Sequence, residues 1–172
     1  HTAFWPSGRQ ADCGPVVSYD LLSNVRSIVP GSEGLRLVAD DFHRSVAASN
    51  DIVVWTARRA SRTTLQGVDL RSGRPIPQLP TAARPTDPVI VGDVVAWLDH
   101  RQGGARAVYG LDLRSGRESA IALDRSSKEG LAADNDCLYW WNTTPGTKGD
   151  NIRLFGVRLT RSSGSLGVAP LR

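Results

Sequence analysis

The strongest constraint on the fold of this chain is a short motif that recurs three times at nearly constant spacing. The segments DIVVW at 51–55, DVVAW at 93–97 and DCLYW at 136–140 begin 42 and 43 residues apart. A second motif follows each of them in the same register: GVDLRSG at 67–73, GLDLRSG at 110–116 and the looser GVRLTRSSG at 156–164. A repeat of about 40 residues carrying two linked motifs is typical of stacked supersecondary units, such as the blades of a propeller.

Weaker forms of both motifs occur near the N-terminus. FWPSGRQ at 4–10 aligns with the segment that starts at residue 54, and SYDLLSN at 18–24 aligns with the segment that starts at residue 67. The offsets of 50 and 49 residues predict an insertion, which we assign to 30–42. The sequence therefore contains about four copies, of which the first lacks its beginning.

Each copy consists of short segments rich in Val, Ile, Leu, Tyr and Trp, separated by clusters of Gly, Asn, Asp and Ser, without a sustained helical period. In the third copy the pattern predicts strands at 88–91, 94–98, 107–113 and 118–123. Four antiparallel strands per repeat make a β-propeller blade. We therefore expect an all-β chain that forms a single β-propeller over 1–172, with blades at about 1–30, 43–80, 86–124 and 129–170.

The turn between the third and fourth strands of a blade needs a residue in the left-handed conformation, which Gly and Asn adopt most readily. The sequence places such residues at Asn24, Gly73 and Gly116. Carboxylates that can accept backbone N–H bonds stand just before these turns: Asp20, Asp69 and Asp112. The tryptophans that end the first motif are predicted to wedge between neighbouring sheets: Trp55, Trp97 and Trp140.

These motifs resemble the bacterial TolB-like and WD-type β-propeller repeats, in which a strand ending W-x-D-x-R precedes a strand leading into D-L-x-x-G. WLDHR at 97–101 with LDLRSG at 111–116 is the best match. The resemblance covers nearly the whole chain, and it implies the blade architecture. For Asp99 and Arg101 it implies a loop-stabilising role.

In a propeller, one face is formed by the loops that join the second strand to the third and each blade to the next, and this face commonly binds partners. The candidate binding residues on it are Arg58, Arg59, Arg62, Asp99, His100, Arg101 and Arg106. A rim of mixed charge can bind an acidic glycan or a charged loop of a partner protein. The alternative is that these are ordinary solvated loop residues.

Composition and motifs exclude several other classes. The net charge is only +4 and the arginines are dispersed, which disfavours nucleic-acid binding. No apolar run reaches the length of a membrane span. The sequence has no G-x-S-x-G, P-loop or dinucleotide-binding motif and no metal-ligand spacing, so we predict no catalytic residues, no metal and no cofactor.

Two cysteines bear on the compartment. Cys13 and Cys137 form either one long-range disulfide or two buried free thiols. A disulfide requires an oxidising environment, which favours an extracytoplasmic location: secreted, periplasmic or at the cell surface.

Three functional hypotheses follow. The first is a non-catalytic interaction module that binds a protein or a polysaccharide through its loop face, either as a subunit or as part of a larger assembly. The second is the propeller part of an enzyme, a carbohydrate-active lyase or hydrolase or a peptidase. The third is hetero- or homo-oligomerisation through the open edge of the first blade. The blades belong either to a larger ring of about six to eight or to a self-contained four-bladed one.

Overall fold

A computed structural model of the chain describes residues 2–6, 15–33, 36–37, 46–59, 62–77, 79, 84–101, 105–123, 126–143, 152–162 and 165–171. Over these residues the chain forms fifteen β-strands, arranged in four antiparallel sheets, and no helix. The predictions of an all-β fold and of blades with an incomplete first copy are confirmed. Because the described segments contain no helix, none of them provides an apolar helix long enough to cross a bilayer.

The first sheet has three strands, as expected for a copy that lacks its beginning. They are β1 (Thr2–Pro6), β2 (Val16–Asp20) and β3 (Val25–Ile28), in that order. Ser32 closes the end of this sheet, because its hydroxyl donates to the carbonyl of Val29 at 2.7 Å and accepts from the N–H of Val16 at 3.0 Å.

The second sheet is built around β6 (Ile52–Arg59), which pairs with β7 (Arg62–Asp69) along its whole length. The two short strands β4 (Arg36–Leu37) and β5 (Val46–Ala48) also pair with β6, so they share its other edge. Part of the predicted insertion at 30–42 is therefore strand, and the inner strand of this blade comes from two separate segments. On the far edge of β7, Pro75 forms a single bridge with Val68.

The third sheet matches the sequence prediction within two residues at each strand end. It contains β8 (Thr86–Val91), β9 (Val94–Asp99), β10 (Ala107–Asp112) and β11 (Arg117–Ala122). Every residue of β9 and β10 is buried, because both faces of these central strands carry apolar side chains.

The fourth sheet contains β12 (Ser127–Asp134), β13 (Cys137–Thr143), β14 (Arg153–Ser162) and β15 (Ser165–Pro170), paired in chain order. A bulge interrupts the pairing of β12 with β13 between Glu129 and Ala132. Gly130 within this bulge has φ +53°, a value that L-residues adopt only at a cost.

The predicted turn chemistry is confirmed. Asn24, Gly73 and Gly116 have φ values of 57°, 67° and 67°. Each turn-initiating aspartate accepts a backbone N–H from two residues further on, at 2.9 Å in all three turns: Asp20 from Leu22, Asp69 from Arg71 and Asp112 from Arg114. The pKa of Asp20 lies below its ordinary value chiefly because of the hydrogen bond from the N–H of Leu22, and the pKa of Asp69 does so chiefly because of the hydrogen bonds from the N–H and hydroxyl of Ser72.

The chain divides into two compact units, His1–Pro88 and Val89–Arg172, and each contains its own apolar core. In the first, Trp55 is buried with Val16 and Val29 of the first blade and Val53 of its own strand. In the second, Trp140 is buried with Leu138 and with Leu98 of the third blade. Both tryptophans therefore lie between sheets as predicted, whereas the prediction of a single domain stays a prediction.

Candidate functional site

The candidate residues of the third blade form a compact network at the end of β9. Asp99 is fully buried. One of its oxygens accepts from the indole N–H of Trp97 at 3.2 Å and from Nε of Arg101 at 2.8 Å, and the other accepts from the backbone N–H of Arg101 at 2.9 Å. Burying a carboxylate is costly unless its oxygens are hydrogen-bonded, and these donors meet that requirement.

Arg101 has a second carboxylate partner and an aromatic one. Its Nη1 is paired with Glu118, and its guanidinium lies 3.9 Å from the ring centroid of Tyr109. Burial lowers the pKa of Arg101, but the hydrogen bonds to Glu118 and Asp99 outweigh it, so that the pKa is raised above its ordinary value. The geometry accounts for Asp99 and Arg101 through contacts within the blade, and a ligand-binding role for them stays a prediction.

The other candidate residues are distributed differently. Nη1 of Arg106 lies 3.0 Å from Oε2 of Glu129, an ion pair that joins the third blade to the fourth. His100 is half-buried and Arg62 is exposed. Arg58 and Arg59 belong to β6, but their side chains lie outside what the structure describes.

Only the third blade carries the complete W-x-D-x-R motif. Ala57 and Asn142 stand where this blade has Asp99. In both of these blades the indole N–H of the preceding tryptophan, Trp55 or Trp140, is buried without a hydrogen-bond partner. The acceptor that Asp99 supplies is therefore a property of one blade and not of the repeat.

An ion pair recurs on the opposite face of the blades, where the first strand turns into the second. Its three instances are Asp51 with Arg71 at 2.7 Å, Asp93 with Arg114 at 2.6 Å, and Asp136 with Arg158 at 3.2 Å. In each blade the backbone carbonyl of the same aspartate also accepts an N–H from a leucine: Leu70, Leu113 and Leu159, at 2.7, 2.9 and 2.8 Å. Each pair thus joins the start of the second strand to the end of the third.

The sequence contained a signal for this ion pair. The acid and the base are 20, 21 and 22 residues apart in the three copies. When the motifs are aligned, Arg158 occupies the position that Asp69 and Asp112 hold in the second and third copies, so the alignment indicates only that the turn aspartate is missing from the fourth copy. In the structure it replaces Arg114 as the partner of the preceding aspartate.

A cleft of about 380 Å³ opens between the third and fourth blades on this same face. Its apolar lining comes from Val91, Val94, Leu159 and Leu166. Its polar lining comes from Asp93, Arg114, Asn135 and Asp136, so an Asp–Arg pair stands on either side of it. The side chains of Arg114 and Asp136 are 72% and 56% exposed and are accessible to a ligand.

Cys137 lies behind the second of these pairs. It is buried with a free thiol, and its Sγ is 3.3 Å from Oδ1 of Asp136. The pKa of Arg158 is raised by its hydrogen bond to Cys137 and by the charge of Asp136. Cys13 lies outside the described residues, so the disulfide stays a prediction.

The lining of the cleft suits the binding of a ligand that is partly apolar and partly charged. The described segments bring together no group of three His, Cys, Asp or Glu side chains that could hold a metal ion. What the cleft offers is an aliphatic surface with a carboxylate and a guanidinium close by, and this combination recognises an apolar group next to a charged one.

No family model matches the sequence, and no curated protein matches it. Among solved structures, the chain is similar to TolB from Acinetobacter baumannii, with a TM-score of 0.62 and 13% identity over 98% of this chain and 41% of that one. It is similar to the tricorn protease, with a TM-score of 0.61 and 15% identity over 98% of this chain and 19% of that one.

A third similar structure is a nidogen/laminin complex, with a TM-score of 0.59 and 14% identity over 99% of this chain and 61% of that one. The chain thus spans less than two thirds of each of these three proteins. Identities this low show a shared fold only. The chain is made of β-propeller blades, and its fold resembles that of the TolB-like propellers.

Proposed function

We propose that this chain is a non-catalytic interaction module that binds an extended segment of a partner protein in the cleft between its third and fourth blades. The observation that carries the proposal is the combination of an aliphatic lining with two flanking Asp–Arg pairs. A protein segment with an aliphatic side chain next to a charged one matches this arrangement.

The lining favours a protein over a polysaccharide. Val91, Val94, Leu159 and Leu166 provide no hydrogen-bonding side chains, and a sugar buried against them would leave hydroxyl groups without partners. A Leu, Ile or Val side chain of a partner would instead remove apolar surface from water on both sides.

The polar lining provides orientation. Arg114 donates Nε to Asp93, and its exposed guanidinium has five N–H groups in all, so donors remain for a carboxylate or carbonyl of the partner. Across the cleft, Asp136 is more than half exposed and can accept from a lysine or arginine. A partner segment that carries both charges would therefore bind in one direction.

The test is selection from a random peptide library displayed on phage, using the intact chain as bait. Arg114→Glu places a third carboxylate beside Asp93 and Asp136, and we expect it to reduce binding of the selected peptides at least about tenfold. Arg117→Glu is the matched control, since Arg117 is exposed but does not line the cleft. If the selected peptides bind Arg114→Glu and Arg117→Glu with the same affinity as they bind the native chain, the binding surface lies outside the cleft.

In that case the predicted loop face, with Arg62, His100 and Arg106, would be the candidate binding surface. Turnover of polysaccharide or peptide substrates by the intact chain would favour the alternative, in which these blades are the propeller part of a carbohydrate-active enzyme or a peptidase.

The proposal includes an extracytoplasmic location, which a bridge between Cys13 and Cys137 would support, although Cys137 has a free thiol in the structure. Intact mass spectrometry of the chain, isolated without reductant and with free thiols alkylated, tests the bridge. A chain that is alkylated only after reductant is added carries the bridge and supports this location. Two alkylated cysteines in the unreduced chain would remove this support.

A further inference from the structure

Part of the cleft between the third and fourth blades is lined by bare main chain. Gly92 lies in the turn between β8 and β9, lines the cleft and is exposed. Because glycine has no side chain, whatever part of Gly92 faces the cleft is N–H, Cα or C=O. This turn therefore offers main-chain atoms to a ligand at a position where another residue would offer a side chain.

The fourth blade has an asparagine at the corresponding position. Asn135 follows Gly92 by the repeat interval of 43 residues, and it lines the same cleft. Its side-chain amide donates to Asp134 at 2.9 Å. The two blades thus border the cleft with equivalent turns, of which only one carries a side chain at this position.

The conformation of the turn does not account for the glycine at position 92. Gly92 has a φ of 56°, a value that Gly and Asn tolerate better than other residues. Asn135 has a φ of 50° in the equivalent turn. Asparagine therefore fits the backbone of this turn.

Close packing does not account for the glycine either. At Gly67, Gly110 and Gly156 a Cβ would lie 2.8, 2.8 and 2.6 Å from a neighbouring atom, so packing excludes a side chain there. At Gly92 no atom lies within 4 Å of the position a Cβ would take. Since Gly92 lines the cleft, a side chain at this position would narrow it.

We propose that Gly92 is a specificity-determining residue of the cleft: the main chain of the bound segment lies directly against it, in space that a side chain at position 92 would fill. Glycine is the usual residue where a backbone approaches a ligand closely. This inference rests on the proposed function and deepens it, because it names the part of the partner that this side of the cleft recognises.

Three kinds of contact then position the segment. The aliphatic lining receives a side chain, Arg114 and Asp136 bind charged groups, and Gly92 contacts the main chain. Contact with the main chain selects an extended segment, because an extended chain leaves its N–H and C=O groups available whereas a helix bonds them internally.

The variant Gly92→Asn tests whether the space over Gly92 is used. It gives the third blade the residue that the fourth blade already has, so the turn should keep its conformation. We expect peptides selected on the native chain from the phage library to bind this variant at least about tenfold more weakly, because the asparagine side chain clashes with their main chain. Circular dichroism and thermal denaturation check that the variant is folded.

Gly73→Asn is the matched control. Gly73 has a φ of 67° and, like Gly92, no atom within 4 Å of its Cβ position. Asn24 holds the corresponding position in the first blade with a φ of 57°. Gly73 does not line the cleft, so this variant should bind the peptides with native affinity.

A scan of the peptide tests the main-chain contact on the native chain, and so does not depend on the folding of a variant. Each main-chain N–H of a selected peptide is replaced in turn by an N-methyl group, which is too large for a site where two main chains touch. We expect one or two adjacent positions to lose at least about tenfold in affinity for the native chain. The loss at those positions should be smaller in Gly92→Asn, where the contact is already broken.

Weaker binding to Gly92→Asn, native binding to Gly73→Asn and a sensitive N–H position together support the proposal. Native affinity for Gly92→Asn overturns it, and so does a peptide that tolerates an N-methyl group at every position. Either of these results leaves the proposed function standing if Arg114→Glu still weakens binding. If Arg114→Glu has no effect, the peptides bind outside the cleft and both proposals fail.

Discussion

At the scale of single residues, Gly130 shows that the packing of one side chain can require a glycine at another position. Its φ is +53°, and a Cβ at this position would overlap the six-membered ring of Trp141. Gly92 has a similar φ of +56°, but no atom lies within 4 Å of the position its Cβ would take. The two glycines therefore separate backbone strain from steric overlap.

We expect Gly92→Ala to lower the free energy of unfolding by about 1 kcal/mol, from strain in the left-handed region alone. Gly130→Ala should cost about 2 to 4 kcal/mol, because the ring of Trp141 must also move. Urea denaturation of both variants measures the difference. The double variant Gly130→Ala, Trp141→Ala should recover the excess, and equal losses in the two single variants would contradict the overlap.

A second residue-scale prediction concerns acid. Asp69 accepts from the backbone N–H and the hydroxyl of Ser72 at 2.8 and 3.0 Å, and its pKa lies below the ordinary 3.8. A lowered pKa in the folded state stabilises the chain at pH values above 3.8, and this stabilisation is lost as the pH falls through the folded-state pKa.

Asp69→Ala should therefore lower the free energy of unfolding at neutral pH and have progressively less effect below pH 3.8. Urea denaturation at several pH values measures this. Asp69→Asn keeps a hydrogen-bond acceptor but removes the charge. The contribution of residue 69 to the free energy of unfolding should therefore be partly kept and should no longer change with pH. A loss in Asp69→Ala that is the same at every pH would mean that the ionised carboxylate contributes nothing.

At the scale of the element, the end of β9 depends on one buried charge. Asp99 is fully buried, whereas Glu118, the other partner of Arg101, is 28% exposed. Removing Asp99 leaves Trp97 and Arg101 without their shared acceptor, whereas removing Glu118 leaves Arg101 still paired.

Asp99→Ala should cost about 3 kcal/mol, as expected when one partner of a buried pair is lost. Glu118→Ala should cost less than about 1 kcal/mol, in line with partly exposed pairs. Thermal and urea denaturation give both values. Equal losses in the free energy of unfolding would show that the two carboxylates stabilise the network equally.

The elements were the most predictable part of this molecule. The strand ends of the third blade follow from apolar segments bounded by Gly92, Asp93 and the LRSG turn, because turn chemistry and alternation are local properties. The split inner strand of the second blade was missed. β4 has only two residues, which is too short to show a periodic pattern, and its pairing with β6 is a contact distant in sequence.

The candidate site was less predictable than the fold. The sequence directed attention to the loop arginines, and the structure shows Arg101 and Arg106 engaged by carboxylates of β11 and β12. The cleft depends on how β14 and β15 pack beside the turn at Asp93, which no single repeat encodes. The recurring Asp–Arg spacing is visible in the sequence, but only the pairing register of the strands shows that these residues form ion pairs.

At the scale of the whole molecule, the two apolar cores belong to different units of the chain. Leu138 is fully buried in the core of the second unit, and Val53 is fully buried in that of the first. In a repeat protein each blade is stabilised mainly by its neighbours.

Leu138→Ala should cost about 3 kcal/mol and raise amide exchange most in β9, β10, β13 and β14. Val53→Ala should act chiefly on β2, β6 and β7. Hydrogen exchange read out by mass spectrometry resolves the two regions. If either variant raised exchange equally throughout both units, the cores would open in one cooperative step.

The recurring clamp, in which an aspartate binds a leucine N–H through its carbonyl and an arginine through its carboxylate, also has a use in engineering. It joins the same two strands in the second, third and fourth blades, although the fourth blade carries the looser motif GVRLTRSSG. A consensus repeat that combines this clamp with the buried Trp97, Asp99 and Arg101 network would draw both features from one protein. Tandem copies of that repeat would form a modular scaffold for grafting binding loops, with the clamp holding together the second and third strands of each new blade.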